Sequence, residues 1–406
     1  RSNILSFNFA VICMSPTPNG TNIDRFVFSE YESTLLTSIV AIAALLANFP
    51  IVHVVSTMGI RRVFAFFGLL SGVATLAIPT AIRSDLNWLL LCRFLQGLSF
   101  AAVFPVVGAF ANTWTYYKQV KSSIICMMIH IFTGFFISVL VSYVQLSPAL
   151  TMPVSGALCT HVGWPFVFYA HGSTSLVLFT IYALFYRNSP SKHPFVGERE
   201  NRKISAEKTA VDKQTLRRIP YLEICSTPAI WAVWLGAVGN FAAVSIMFLY
   251  NPVYLSKVLG LSTSATGAAA AAPPFVQFFV KLACGMASDR IKCVSEQTKF
   301  RLFNSIAFLG CAGCFAALTC IDAQTPYLNL LLLLGAAGIL GAVTGGFYKA
   351  APALSKQYSH FVTGNISVVL TATMVGVPLL VNGLTSTEST HEEWRPVFGV
   401  IAALLV

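Results

Sequence analysis

Apolar residues run along this chain in stretches of about 20, each closed by a short polar link. A helix rises 1.5 Å per residue, so about 20 apolar residues cross a bilayer core. The pattern predicts ten complete spans, at 33–55, 63–82, 88–112, 122–145, 166–187, 229–250, 265–286, 301–320, 327–346 and 362–383. Shorter tracts at 4–14 and 397–406 predict two further spans, each expected to be cut off at a chain end. The fold class is therefore all-α: a polytopic membrane protein of twelve transmembrane helices, the first and last truncated. One long polar segment, 188–228, separates 1–187 from 229–406, giving two halves of six helices with a central loop between them. In repeats of this kind the binding site lies between the halves, near the bilayer midplane.

Composition and charge sharpen the picture. Hydrophobic residues make up 56% of the 406 and charged residues 10%, against about 25% charged in soluble domains. The net charge of +11 raises the question of a nucleic-acid partner. Its distribution answers it. With 188–228 on the cytoplasmic side, nineteen of the 26 basic residues fall in loops on that side, among them Arg61, Arg62, Arg187, Arg218, Arg290 and Lys299. The opposite loops hold four: Arg25, Arg83, Lys257 and Arg395. This is the positive-inside asymmetry, and the basic excess needs no nucleic acid. Asn19-Gly20-Thr21 then forms a glycosylation sequon on the outer or lumenal side, while Asn365-Ile366-Ser367 falls at the membrane. Most of the ten cysteines lie within spans. Cys311-x-x-Cys314 sits in an apolar helix without a second ligand pair and reads as packing, and Cys159 alone in an outer loop implies no paired framework.

No complete span has a carboxylate in its interior, yet two bases, Arg93 and Lys281, do lie within spans. A charge at mid-membrane costs about 2.5–3.5 kcal/mol on insertion scales and usually faces a cavity or a partner. A path with positive charge and no fixed negative charge suits an anionic ligand, and arginine adds a planar fork for carboxylate or phosphate. Phe100 and Phe104, seven and eleven positions beyond Arg93, share roughly its helical face. The alternative is that Arg93, near the outer end of its span, snorkels to the headgroups. Lys281 stands two turns before Asp289, within reach of the cytoplasmic interface. His130 and His171 read as packed polar residues, and Asn240 and Gln277 as candidate cavity residues. No Ser/His/Asp, carboxylate-pair or metal constellation points to an enzyme, and no cofactor is expected. Without carboxylates in the spans, coupling to protons is expected to be weak, and a sodium site stays open.

Several strings resemble known transporters. The two halves, the basic central loop and Gly285-x-x-x-Asp289-Arg290 after the eighth span resemble the major facilitator superfamily, with "VSTMGIRRVF" (55–64) at the matching place in the first half. "GWPFVFYAHG" with "NSPSKHPFVGERE", "RFLQGLSFAAVFPVVGAFANTW", "NPVYLSKVLGLS" and "EEWRPVF" resemble its anion transporter family. That family holds the vesicular glutamate transporters, the lysosomal sialic-acid exporter (sialin) and the type I sodium-phosphate cotransporters. The resemblance implies alternating-access transport of small organic anions or inorganic phosphate, as symporter or facilitator, by a monomer in the plasma membrane or an endolysosomal or vesicular membrane. It implies a substrate site including Arg93, Phe100, Asn240 and Lys281, and a conformational gate at Gly285, Asp289 and Arg290. A lysosomal proton-coupled exporter of acidic sugars is the nearest alternative, and a non-transporting receptor or sensor the more distant one. The departures bear on substrate: Phe100 stands where the glutamate branch is acidic, Thr37 where it has histidine, and Asn240 where it has arginine. Ser56 or Thr57 replaces the aspartate of the first-half motif. Glutamate is thus not the substrate expected.

The charge asymmetry makes a topological prediction. Protease added outside sealed cells should spare 188–228, and Asn19 should be reachable from the outer or lumenal side; cleavage of the central loop from outside would reverse the orientation.

Overall fold

A computed structural model describes residues 1–14, 28–103, 105–107, 142–189, 221–291, 293–322, 325–348, 359–385 and 390–406, with a few isolated positions between. The described residues are helical throughout, without strands. We number the main helices α1 (Ser2–Met14), α2 (Glu30–Met58), α3 (Ile60–Ser84), α4 (Leu86–Ala101), α5 (Tyr143–His161) and α6 (Trp164–Phe185). After the central segment come α7 (Pro228–Ser245), α8 (Thr263–Arg290), α9 (Glu296–Cys320), α10 (Pro326–Leu340), α11 (Ser359–Leu384) and α12 (His391–Leu405). Among the described residues, nine helical stretches are long and apolar enough to cross a membrane. Large apolar side chains such as Phe49, Leu178, Leu235 and Leu331 are exposed on the outside, the surface that lipid covers.

Local chemistry sets the helix ends. Ser29 and Glu32 form a capping box at α2, the Glu32 amide donating to Ser29 Oγ (3.2 Å) and the Ser29 amide to Glu32 Oε2 (2.9 Å). Thr390 and Glu393 do the same for α12. Pro165, Pro228 and Pro326 begin their helices, where a missing N–H costs nothing. The α2–α3 link is the single residue Gly59, at φ +80°, and a Cβ there would run into the Asn188 side chain.

One predicted span lies mostly outside the described residues, and a helix that was not predicted follows it. The run at 122–145 falls mostly outside the described residues, and 146–161, expected as a loop, is helix α5. Pro148, Pro153 and Gly156 disguise it. In a membrane helix prolines are tolerated because neighbouring groups satisfy the freed carbonyls.

The halves meet chiefly along α5 with α8 and α2 with α11. Gly267 lets α8 approach α5 closely, since a Cβ there would stand 2.8 Å from the Met152 carbonyl oxygen. Across the other seam Asn48 Nδ2 donates to Thr371 Oγ1 (3.2 Å) and Ser367 Oγ to Asn48 Oδ1 (3.2 Å). The seventh span departs from α-geometry beyond Ser245. Two π-helical turns, Ile246–Tyr250 and Tyr254–Val258, flank Asn251–Val253, and α10 tightens into a 3₁₀ turn at Gly341–Gly345. Such irregular turns concentrate at functional sites.

A second expectation is corrected here. Cys13, in the last turn of α1, and Cys159, in the last turn of α5, form a disulfide. Cys159 lacks a visible partner in the sequence because Cys13 falls inside the first apolar tract, 4–14. Both ends lie on the side assigned as outer, where thiols oxidise. Unreduced protein should therefore yield a linked Cys13–Cys159 peptide by mass spectrometry, and free alkylation of both thiols would refute the pairing. Replacing both by serine should cost about 2–4 kcal/mol of stability, read as a lower melting temperature.

Candidate functional site

Two groups of buried polar side chains centre on Arg93 and Lys281, and they differ in kind. The first surrounds Arg93 on α4, which is 0% exposed. Its Nε donates to the Leu36 carbonyl (3.0 Å), and its Nη1 to the Ile4 carbonyl (3.3 Å) and to Gln96 Oε1 (2.8 Å). The guanidinium carbon lies 4.5 Å from the centroid of the Phe7 ring, a cation–π contact. Gln96 Nε2 passes the chain on to the Asn3 carbonyl (3.0 Å) and Thr75 Oγ1 (2.8 Å). Asn3 in turn meets Ser71 and Ser175. The network ties α1, α2, α3, α4 and α6 into one body.

Arg93 therefore does not snorkel. The sequence showed the charge but not the helix carbonyls that surround it. Phe100 is buried in the apolar core that also holds Val40, Ala44 and Val144, and Phe104 lies outside the described residues. Nη2 of Arg93 finds no hydrogen-bond partner among the described residues.

The second group lies between the halves. Lys281 on α8 is buried, and its ammonium donates to Gln145 Oε1 on α5 (3.4 Å), while Gln145 Nε2 donates to Gln277 Oε1 (3.2 Å). The Lys281 ammonium stands 4.9 Å from the centroid of the Tyr348 ring. Asn240 on α7, with Phe241 and Val244, joins Gln145, Gln277, Lys281 and Tyr348 around one small cavity. Its volume is about 10 Å³, the room of a single water. The Arg1 side chain lies within electrostatic range of Tyr143, Tyr348 and Lys281, and its Nη1 is buried with no hydrogen-bond partner among the described residues.

Of the expected substrate residues, the structure thus brings Asn240 and Lys281 together, with Gln277, and sets Arg93 and Phe100 apart from them. Sequence reasoning missed Arg1, which precedes the first apolar tract as read, and Gln145, which reading 146–161 as a loop put at a helix end. It also missed Tyr143 and Tyr348. The described ion pairs, Lys299 with Glu296 and Arg395 with Asp322 and Glu392, stand at helix ends. Neither Arg93 nor Lys281 has a carboxylate partner among the described residues.

The remaining expected sites are quickly placed. Gly285 is buried in α8 and Arg290 is its exposed last residue, while the Asp289 side chain and Asn19 lie outside the described residues. His171 meets Ser155 Oγ at 3.3 Å, a packed polar contact, and His130 lies outside the described residues. Cys311 and Cys314 are free thiols, Cys311 in the core.

The chain is similar in sequence to known proteins over most of its length. The family model described as Major Facilitator Superfamily matches residues 3–378. An uncharacterised transporter of Caenorhabditis elegans is 26% identical over 364 residues, 87% of this chain and 71% of that protein. Human vesicular glutamate transporter 2 is 24% identical over 373 residues, 89% of this chain and 60% of its own length. Human sialin is 22% identical over 371 residues, 89% of this chain and 70% of its own. The chain thus spans less than two thirds of the glutamate transporter.

The two buried groups predict different failures. Arg93→Ala should lower folded yield and melting temperature, because hydrogen bonds to a charged group contribute roughly 1.5–3 kcal/mol each. Lys281→Gln should fold nearly as wild type. An Arg93→Ala protein with unchanged melting temperature would show that the network contributes nothing to stability.

Proposed function

We propose that the chain, which belongs to the Major Facilitator Superfamily, carries small organic anions or inorganic phosphate across its membrane by alternating access. The observation that carries this reading is Lys281, a buried cation at the seam of the two halves, with Arg1 in electrostatic range and no carboxylate partner among the described residues. Two like charges in a low-dielectric site repel each other, and an anion between them relieves both the repulsion and the burial cost. Gln145, Gln277, Asn240 and Tyr348 supply neutral groups that fix orientation around it. Lys281 and Gln277 come from one half and Gln145 from the other, so a bound anion bridges the parts that move.

In this reading Arg93 supports the site indirectly. Its bonds to Ile4, and those of Gln96 to Asn3, hold the first turn of α1, from which Arg1 projects. The names of the relatives cover glutamate, sialic-acid-related, urate and phosphate transport, and an anionic substrate is what these have in common. The central segment 188–228 divides the chain into the two halves, and the protein works as a monomer.

Counterflow in proteoliposomes tests the proposal, with labelled phosphate, urate, glutamate and sialic acid in parallel. At least one anion should exchange saturably, and Lys281→Gln should reduce its uptake by roughly tenfold or more, the effect of losing one charge-assisted contact. Wild-type uptake by that variant, or no exchange of any anion by the wild type, would contradict it.

A further inference from the structure

The turn that carries Tyr348 to the cavity is held by a residue outside the cavity lining. Where α10 tightens at Gly341–Gly345, the Gly346 amide donates to the Val343 carbonyl (3.0 Å) and Thr344 Oγ1 to the Gly341 carbonyl (3.1 Å). In a continued α-helix the Val343 carbonyl takes the amide four residues on, that of Phe347. The tighter turn leaves that N–H over. Phe347 is buried, and a buried amide without an acceptor costs about 1–3 kcal/mol. Asn304 of α9 supplies the acceptor: its Oδ1 takes the Phe347 N–H at 2.9 Å.

The packing around the turn fits that bond. Gly346 leaves room for it, since a Cβ there would run into the Asn304 side chain. Phe303, the preceding residue of α9, lies against Gly345, while Gly341 lies against Gln277 and Val280 of α8. The turn is thus seated between the helix that carries Lys281 and the helix that carries Asn304.

The turn decides where Tyr348 points. An α-helix advances about 100° per residue and a 3₁₀ helix about 120°. Over the five residues of this turn the difference accumulates to roughly 100°. Relaxing the turn to α-geometry therefore swings Tyr348 by about that angle, away from the Lys281 ammonium that now stands 4.9 Å from its ring centroid.

We propose that Asn304 is a positioning residue of the anion site: by accepting the Phe347 N–H it keeps α10 in its 3₁₀ turn and so holds Tyr348 against Lys281. The inference rests on the anion-carrier reading above and adds the residue that sets the shape of that site. The chemical requirement is narrow. An acceptor oxygen must stand where Oδ1 stands, so aspartate serves and leucine, of similar size, does not. With leucine at 304 the Phe347 N–H returns to the Val343 carbonyl, and the turn unwinds.

Two measurements on the purified full chain test this, and one is independent of transport. In a chain whose unpaired cysteines are replaced by serine, Lys281→Cys and Tyr348→Cys are bridged with a short bifunctional thiol reagent. Adding Asn304→Leu should slow bridging by roughly tenfold, the weight of one hydrogen bond, and Asn304→Asp should bridge as the parent does. Equal bridging with Asn304→Leu would overturn the proposal. The second measurement is anion affinity, read from the melting shift with phosphate and with organic carboxylates. Asn304→Leu should weaken it by roughly tenfold, Asn304→Asp should not, and in a Tyr348→Leu background Asn304→Leu should weaken it no further. Losses that simply add would show that Asn304 does not act through Tyr348, and would also overturn the proposal. Should Asn304→Leu not fold, Asn304→Ser, too short to reach the Phe347 amide, takes its place in both measurements. A wild type that binds no anion, with bridging still dependent on Asn304, would refute the anion reading alone and leave the positioning of Tyr348 standing.

Discussion

A positive charge in hydrocarbon needs a partner, and the spans of this chain contain no internal carboxylate to provide one. The protein meets that constraint in two ways. Around Arg93 it uses the backbone: carbonyl oxygens of α1 and α2, with one glutamine, surround the guanidinium and turn it into a joint among five helices. Around Lys281 it uses neutral side chains that orient the ammonium without neutralising it. The first arrangement is complete except for one nitrogen and joins helices that precede the central segment. The second is electrostatically incomplete and lies where the halves meet. A site short of negative charge, where the halves meet, is what the proposed anion would complete.

The irregular helix segments follow from the same geometry. The π turns of the seventh span and the 3₁₀ turn after α10 adjoin Val244, Gly341 and Thr344, all of which line the cavity. An α-helix continued through these positions keeps a fixed spacing of side chains. The 3₁₀ turn alters that spacing just before Tyr348, whose ring faces the Lys281 ammonium.

The sequence alone disclosed the class of fold well, because length and hydropathy of each run decide it. Among the described residues, nine spanning stretches emerge where apolar runs were expected, and α5 does not. Its prolines and glycine signal a loop in water, whereas neighbouring helices in a bilayer make them acceptable. Reading 146–161 as a loop put Gln145, which lines the cavity, at a helix end, and the apolar tract around Cys13 hid the partner of Cys159. The disagreement over Arg93 has another cause. Composition shows that no acid is near in sequence, but backbone carbonyls are identical at every residue and carry no sequence signal. Lys281 and Asn240 were legible because polar side chains inside apolar runs are rare.

The central claim is that the buried charge at Lys281 is completed by a substrate anion. Its most direct measurement is the melting temperature of purified protein titrated with phosphate and with organic carboxylates. A ligand that binds only the folded state raises it by an amount set by concentration over Kd, about 2.7 kcal/mol at a hundredfold excess over Kd. The account predicts a saturable rise for wild type with at least one anion and no rise for Lys281→Gln. An equal rise in both proteins would place the anion elsewhere and contradict it.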